Sequence, residues 1–167
     1  MNRYDIFSNW EYIEDYFAGF EHGEGEGTKV RLPHSRKGVI GFGENEKSSS
    51  PVYGYRRRLD VPQYWEKQRV FITFDGVVEN AVIYVNGMRI AVRQSAHPRF
   101  TMEVTDLLEF GSSNLLCVEI IDSENTVSPC GMYRGVWIET TANTLEESFA
   151  RLIEMPRIKQ SMVMPLC

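Results

Sequence analysis

The stretch SPCGMYRGVWIE, residues 128 to 139, carries the side chains in this chain best suited to gripping a ligand: Tyr133, Arg134 and Trp137. Aromatic faces stack on apolar C–H surfaces and planar polar groups hydrogen-bond hydroxyls, so such a set suits a carbohydrate. Interleaved with them are Met132, Val136 and Ile138, which read as core, and Gly131 and Gly135, which free the backbone. Trp137 and Ile138 alternate faces of one strand, and burying residues of that size contributes roughly 1.5–3 kcal/mol each. At least one face of the strand is therefore core. Arg134 is expected to pair with a carboxylate or backbone carbonyls at the sandwich edge, because an unpaired buried charge is prohibitive.

Other chemistries lack their parts. There is no G-x-S-x-G nucleophile turn, P-loop, G-x-G-x-x-G opening a helix, or H-E-x-x-H. His22, His34 and His97 come without evident partners and read as hydrogen-bonded structural residues. HGEGEG (22 to 27) reads as a solvated turn, since a calcium site needs more oxygen ligands at defined spacing. Glycoside hydrolysis needs two carboxylates about 5–9.5 Å apart, and among 23 acidic residues composition nominates no pair. Cys117, Cys130 and Cys167 suggest neither a zinc site nor a disulfide framework. No metal and no cofactor are expected. The aromatic content, nine Phe, eight Tyr and three Trp, fits sugar stacking and equally fits a β core.

A chain of 167 residues with 43% hydrophobic content makes one ordinary domain with a sizeable core. The net charge of −5 argues against nucleic acid and anionic membrane as partners. The charged N-terminus MNRYDIFSNWEYIEDYF does not resemble a signal peptide, so a soluble, cytoplasmic chain is expected. From about residue 52, short β-type runs alternate with turn signals: YGYRRRLDVP (53 to 62), RVFITF (69 to 74), NAVIYV (80 to 85), MRIAV (88 to 92), RFTMEV (99 to 104), NLLCVEIID (114 to 122) and GVWIET (135 to 140). Asn86-Gly87 predicts a type I′ hairpin over 81 to 92. Thr105 or Asp106 is expected to cap a short turn stopped by Gly111. NLLCVEIID is the longest apolar run and predicts a central strand. TKVRLPHS (28 to 35) predicts one strand ended by Pro33, and GVIGFGENEKSSS (38 to 50) an exposed loop. The rhythm is that of an all-β, antiparallel sandwich.

VRLPHS (30 to 35), YGYRRRLDVP, RVFITFDGVVENAVIYVNG (69 to 87), RFTMEVTDLL (99 to 108), NLLCVEI (114 to 120) and GMYRGVW (131 to 137), in that order, resemble the N-terminal sugar-binding domain of glycoside hydrolase family 2. That group contains β-galactosidases, β-glucuronidases and β-mannosidases. The resemblance spans roughly 8 to 140 and implies an antiparallel jelly-roll β-sandwich of the galactose-binding-domain type over 1 to 140. Asn86, Gly87, Gly131, Tyr133, Arg134 and Trp137 are then structural motif residues. The family's catalytic glutamates sit in a downstream TIM barrel of roughly 250 residues, which this chain cannot contain. It is therefore expected to be inactive alone, a sugar-binding or scaffolding part of a glycosidase. The rivals are a free-standing lectin-like module and a purely architectural or oligomerisation domain. Its partners would be a galactoside-like carbohydrate, the downstream domains, and a second copy in a homo-oligomer. Some family β-galactosidases contact sugar through an Asp six residues before the motif glycine. Asn125 occupies that position here, flanked by Asp122 and Glu124, and Val127 stands where relatives often carry Trp. The loop 122 to 130 is thus the expected sugar-contacting segment. The tail, 141 to 167, reads either as a helix begun by TLEE (144 to 147) or as the first strand of a following immunoglobulin-like domain, and the resemblance favours the strand.

Overall fold

The computed structural model describes residues 1–35, 51–77, 80–93, 99–121 and 131–142. Among them are twelve strands: β1 Asn2–Asp5, β2 Trp10–Ile13, β3 Thr28–Val30, β4 His34–Ser35, β5 Val52–Val61, β6 Gln68–Phe74, β7 Ala81–Val85, β8 Met88–Arg93, β9 Phe100–Glu103, β10 Ser112–Ile121, β11 Gly131–Met132 and β12 Val136–Ala142. They form a six-stranded sheet in the order β3-β2-β5-β10-β7-β8, a four-stranded sheet β1-β12-β6-β9, and a two-stranded pair β11-β4. Every pairing is antiparallel. The fold is the expected antiparallel jelly-roll sandwich.

Period-two alternation in the sequence builds the core between the two large sheets. On β10, Leu116, Val118 and Ile120 face inward, and Val118 lies between Tyr55 of β5 and Ile83 of β7. Opposite them stand Val70, Ile72 and Phe74 of β6 with Val136 and Ile138 of β12. Phe74 stacks on Phe100 at 4.8 Å. As expected, β10 is a central strand, and β7 and β8 form a hairpin across Asn86 (φ 51) and Gly87 (φ 76). The Asn86 side chain does more than tolerate the turn. Its Nδ2 donates to Asn114 Oδ1 (2.8 Å), and its Oδ1 accepts from the Leu115 N–H (2.9 Å). Asn114, fully buried, also accepts from the Glu109 N–H and donates to the Glu109 carbonyl. Replacing Asn114 with alanine strands these groups, and urea denaturation should record a loss of roughly 2 kcal/mol.

The strand in TKVRLPHS ends before Pro33 as expected: β3 pairs with β2 in the large sheet, and a second short strand, β4, follows the cis Leu32–Pro33 bond and pairs with β11. One local expectation is corrected. Neither Thr105 nor Asp106 caps the 3-10 turn Thr105–Leu107; Val104 holds that position without a side-chain bond. The Thr105 hydroxyl instead accepts from the Val70 N–H at 2.9 Å, tying the turn to β6. β12 runs from Val136 to Ala142, two residues beyond the run GVWIET. The expectations for 38 to 50 and for the tail beyond 142 lie outside the described residues.

The outer face of the six-stranded sheet is covered by the segment after β2, held by one buried cation. Arg56 of β5 has a side chain only 7% exposed and donates from Nε to Glu11 (2.7 Å) and from its terminal nitrogens to the carbonyls of Phe20, Glu24 and Gly25. Its guanidinium lies 4.1 Å from the Phe20 ring centre. HGEGEG is thus a turn whose carbonyls close on an arginine. Burial alone would raise the Glu11 carboxyl, but hydrogen bonds from Lys29 and Arg56 outweigh it and hold that group below its ordinary value. Beneath this cover, burial pushes the free Cys117 thiol up to about 12. Among the described residues no helix is long and apolar enough to cross a membrane.

Candidate functional site

Strand register brings the flanks of four interrupted connections to one end of the sandwich. Ile121 pairs with Val52 and Gly131 with Ser35. Val77 bridges Met132, and the Ile121 N–H donates to the Asn80 carbonyl. Arg93 lies opposite Ala81, and Phe100 opposite Phe74. The strand ends that flank 36–50, 78–79, 94–98 and 122–130 therefore all lie at this end. The strand ends of a rigid scaffold are where binding function concentrates.

An aromatic cluster lies at the same end. Tyr12 of β2 pairs with Tyr55 of β5, and Tyr53 follows two residues away on the same face. The Tyr12 ring lies 4.9 Å from His34, 5.1 Å from Tyr55 and 6.1 Å from Tyr53. His34 Nδ1 meets the Tyr55 hydroxyl at 2.8 Å, and the Tyr12 hydroxyl donates to Glu14. Burial lowers the His34 imidazole below its ordinary value, with the Glu14 carboxylate pulling the other way. A neutral imidazole beside phenol hydroxyls can donate and accept, which suits a hydroxyl-rich ligand. Tyr53 and Tyr55 are fully buried, so only Tyr12 and His34, both partly exposed, can offer surface.

The rim on the four-stranded side is cationic. Arg99 Nε and Arg134 each stand 4.0 Å from Asp75, one at each carboxylate oxygen. Next to them the Arg3 guanidinium covers the Trp137 ring at 3.7 Å, and Phe7 meets the same ring edge-on. Trp137 points to the outer face of its sheet yet is only 7% exposed, while Ile138 joins the core. The expected alternation holds, with both faces covered.

Of the motif residues, Gly131, Tyr133, Arg134 and Trp137 converge at this end, whereas Asn86 and Gly87 make the hairpin at the opposite end. Gly131 has φ +109 and lies against the Tyr55 hydroxyl. The Tyr133 N–H donates to the Gly76 carbonyl at 3.0 Å. Arg134 has the expected carboxylate partner, but its side chain is 57% exposed and the ion pair is long. An Arg134→Ala change should therefore cost less than about 1 kcal/mol in a thermal or urea melt. Asp122, Glu124, Asn125, Val127, His97, Cys130 and Cys167 lie outside the described residues. Sequence reasoning missed Tyr12, Glu14, Tyr53, Tyr55, Asp75 and Arg99. The tyrosine spacing in YGY was the available signal, since residues two apart on a strand share a face. Among the described residues no cluster of His, Cys, Asp and Glu could hold a metal ion.

Similarity to known proteins agrees with this architecture. A β-galactosidase of Thermoanaerobacter pseudethanolicus is 26% identical over 151 residues, covering 81% of this chain and 20% of that protein. A β-glucuronidase of Bacteroides fragilis is likewise 26% identical over 143 residues, with the same coverage. The chain thus spans about a fifth of the length of these relatives. Among solved structures, a glycosyl hydrolase family 2 member from Bacteroides cellulosilyticus superposes with a TM-score of 0.75 at 20% identity, over 85% of this chain and 21% of that one. The β-glucuronidase of Bacteroides uniformis gives 0.71 at 21% identity, over 85% and 18%. Residues 40–130, more than half of the chain, match the family model described as "Glycosyl hydrolase 2 galactose-binding domain-like", and the chain belongs to that family.

Proposed function

We propose that this chain is the non-catalytic sugar-binding and positioning domain of a family 2 glycosidase acting on β-galactosides or related β-glycosides. The observation that carries the reading is the meeting, at one end of a sandwich of this family, of the strand ends that flank 36–50, 78–79, 94–98 and 122–130. That end joins a partly exposed Tyr12–His34 cluster to an arginine rim. In this reading the loop carrying Asp122, Glu124 and Asn125 reaches the sugar, while 131 to 138 hold the loop in place. Hydrolysis itself belongs to a barrel elsewhere in the longer enzyme.

The test has two arms. Nitrophenyl β-galactoside and β-glucuronide should show no turnover with this chain alone, and robust turnover abolished by mutating a carboxylate would overturn the reading. Titration of galactose and methyl β-galactoside into ¹⁵N-labelled chain should shift resonances of 122 to 130, Tyr12 and His34. A purely architectural domain is favoured by the full burial of Tyr53 and Tyr55. It predicts a silent titration, and that outcome would remove sugar binding from the proposal.

A further inference from the structure

We propose that Asn86 is a site of spontaneous covalent modification: the closed β7–β8 turn holds it unreactive, opening of the turn converts it to aspartate and isoaspartate, and the hairpin then cannot reclose in register. Asn86-Gly87 is the one Asn-Gly pair in the sequence. The reaction is intramolecular. The Gly87 backbone nitrogen, having given its proton to hydroxide or a buffer base, attacks Asn86 Cγ. The new N–Cγ bond closes a five-membered succinimide as the Cγ–Nδ2 bond breaks and ammonia leaves. Water then opens the ring. Cleavage of the N–Cγ bond gives aspartate, and cleavage at the former backbone carbonyl gives isoaspartate, whose chain runs through the side-chain carbons. Water is the only co-reactant, and nothing is oxidised or reduced. Glycine in the second position leaves the attacking nitrogen without a side chain to shield it.

The closed turn opposes that step at every atom involved. Asn86 (φ 51) and Gly87 (φ 76) make a hairpin turn of the I′ kind, and ring closure requires Asn86 to rotate its ψ far from the turn value until the Gly87 nitrogen faces Cγ. The carboxamide is meanwhile held on β10. Its Nδ2 donates to Asn114 Oδ1 (2.8 Å) and to the Leu107 carbonyl (3.2 Å), and its Oδ1 accepts from the Leu115 N–H (2.9 Å). The Asn86 N–H donates to the Leu115 carbonyl at 2.8 Å, so main chain and side chain are anchored to the same neighbour. The His22 ring lies against Gly87, where an added Cβ would run into its Nδ1. Burial is not what protects Asn86, since it is exposed and both water and base reach it. Geometry is, and the rate must follow the fraction of turns that have left β10. The products do not fit the place they are made in. Aspartate sets an oxygen where Nδ2 stood, against two acceptors, Asn114 Oδ1 and the Leu107 carbonyl. Isoaspartate lengthens the backbone by one carbon inside the two-residue loop that sets the register of β7 on β8.

The experiment incubates the full chain in mildly alkaline buffer, with and without denaturing urea, and follows residue 86 by peptide mass mapping and by enzymatic methylation of isoaspartate. Asn86 should convert in urea, and at least about ten-fold more slowly in the native chain. The native rate should rise with small additions of urea, in step with hydrogen exchange at the Leu115 N–H, which reports release of Asn86 Oδ1. Asn114→Ala should raise the native rate at least about five-fold. If that variant does not fold, the urea series on the parent chain makes the same comparison. Equal rates in the native and unfolded chain overturn the gate, and so does a native rate that ignores urea or the Asn114 change. No conversion in urea overturns the site itself. The converted chain should lose exchange protection over 81 to 92 while Val70 and Ile72 in the other sheet keep theirs, and undiminished protection in the hairpin overturns the loss of register.

Discussion

Replacing Arg56 with alanine will lower the unfolding free energy by roughly 3–5 kcal/mol, the range for removing one partner of a buried ion pair. The magnitude follows from what the guanidinium leaves behind. Glu11 would retain only Lys29, whose side chain is 74% exposed, the part-buried carbonyls of Glu24 and Gly25 would lose their donor, and that of Phe20 would keep only the Gly23 N–H. Phe20, fully buried, would lose the cation above its ring. The turn from Gly19 to Gly25 should come off the sheet and expose Cys117 beneath it. Two readouts check this: the urea midpoint, and the rate at which a thiol reagent labels Cys117 in native buffer. Arg56→Lys should restore only part of the loss, because an ammonium group has three donors and no planar fork for four acceptors. A cost below about 1 kcal/mol in the alanine variant would mean the carbonyls find water freely, and the buried node would then not be what holds the cover down.

That node also marks where reading the sequence reaches its limit. The β7–β8 hairpin is legible because Asn86-Gly87 decides its geometry within two residues. β6, β7 and β10 are legible because their apolar alternation decides which side is wet. The strands β1 and β2 were not, since NRYD has no buried residue and WEYI is short, and both are fixed by pairing with partners far along the chain. In TKVRLPHS the strand that Pro33 ends was legible, but β4 beyond it was not, since two residues carry no alternation and only pairing with the distant β11 makes them a strand. Arg56 and Arg57 are neighbours in an RRR run with nothing local to separate them. One is nearly enclosed, and the other donates from its exposed Nε to the Ser8 carbonyl. For the site, alternation in GMYRGVW sorts Met132, Val136 and Ile138, all buried, from their neighbours. The partners Asp75 for Arg134 and Arg3 for Trp137 come from strands that no local pattern joins to it.

Gly131→Ala should cost roughly 3 kcal/mol and should loosen the candidate site specifically. At φ +109 an L-residue is strained whatever space surrounds it, a cost of about 1–3 kcal/mol. The space is also absent: a Cβ there would lie 2.6 Å from the Tyr55 hydroxyl and 2.9 Å from the His34 carbonyl, adding overpacking of similar size. Tyr55 is fully buried and the carbonyl is backbone, so neither can swing aside cheaply. Relief must come from separating β11 from β4, which breaks the Gly131–Ser35 and Met132–His34 pairing. Urea denaturation measures the energy, and the His34 titration locates it. Burial now holds that imidazole below its ordinary value, so opening the β4–β11 pair must raise its pKa. The stability loss with an unmoved His34 would place the strain elsewhere, and an unchanged melt would show that the chain accommodates a side chain where the backbone has none to spare. The expected result makes the glycine of GMYR the residue that keeps β11 in register with β4 at this end of the sandwich.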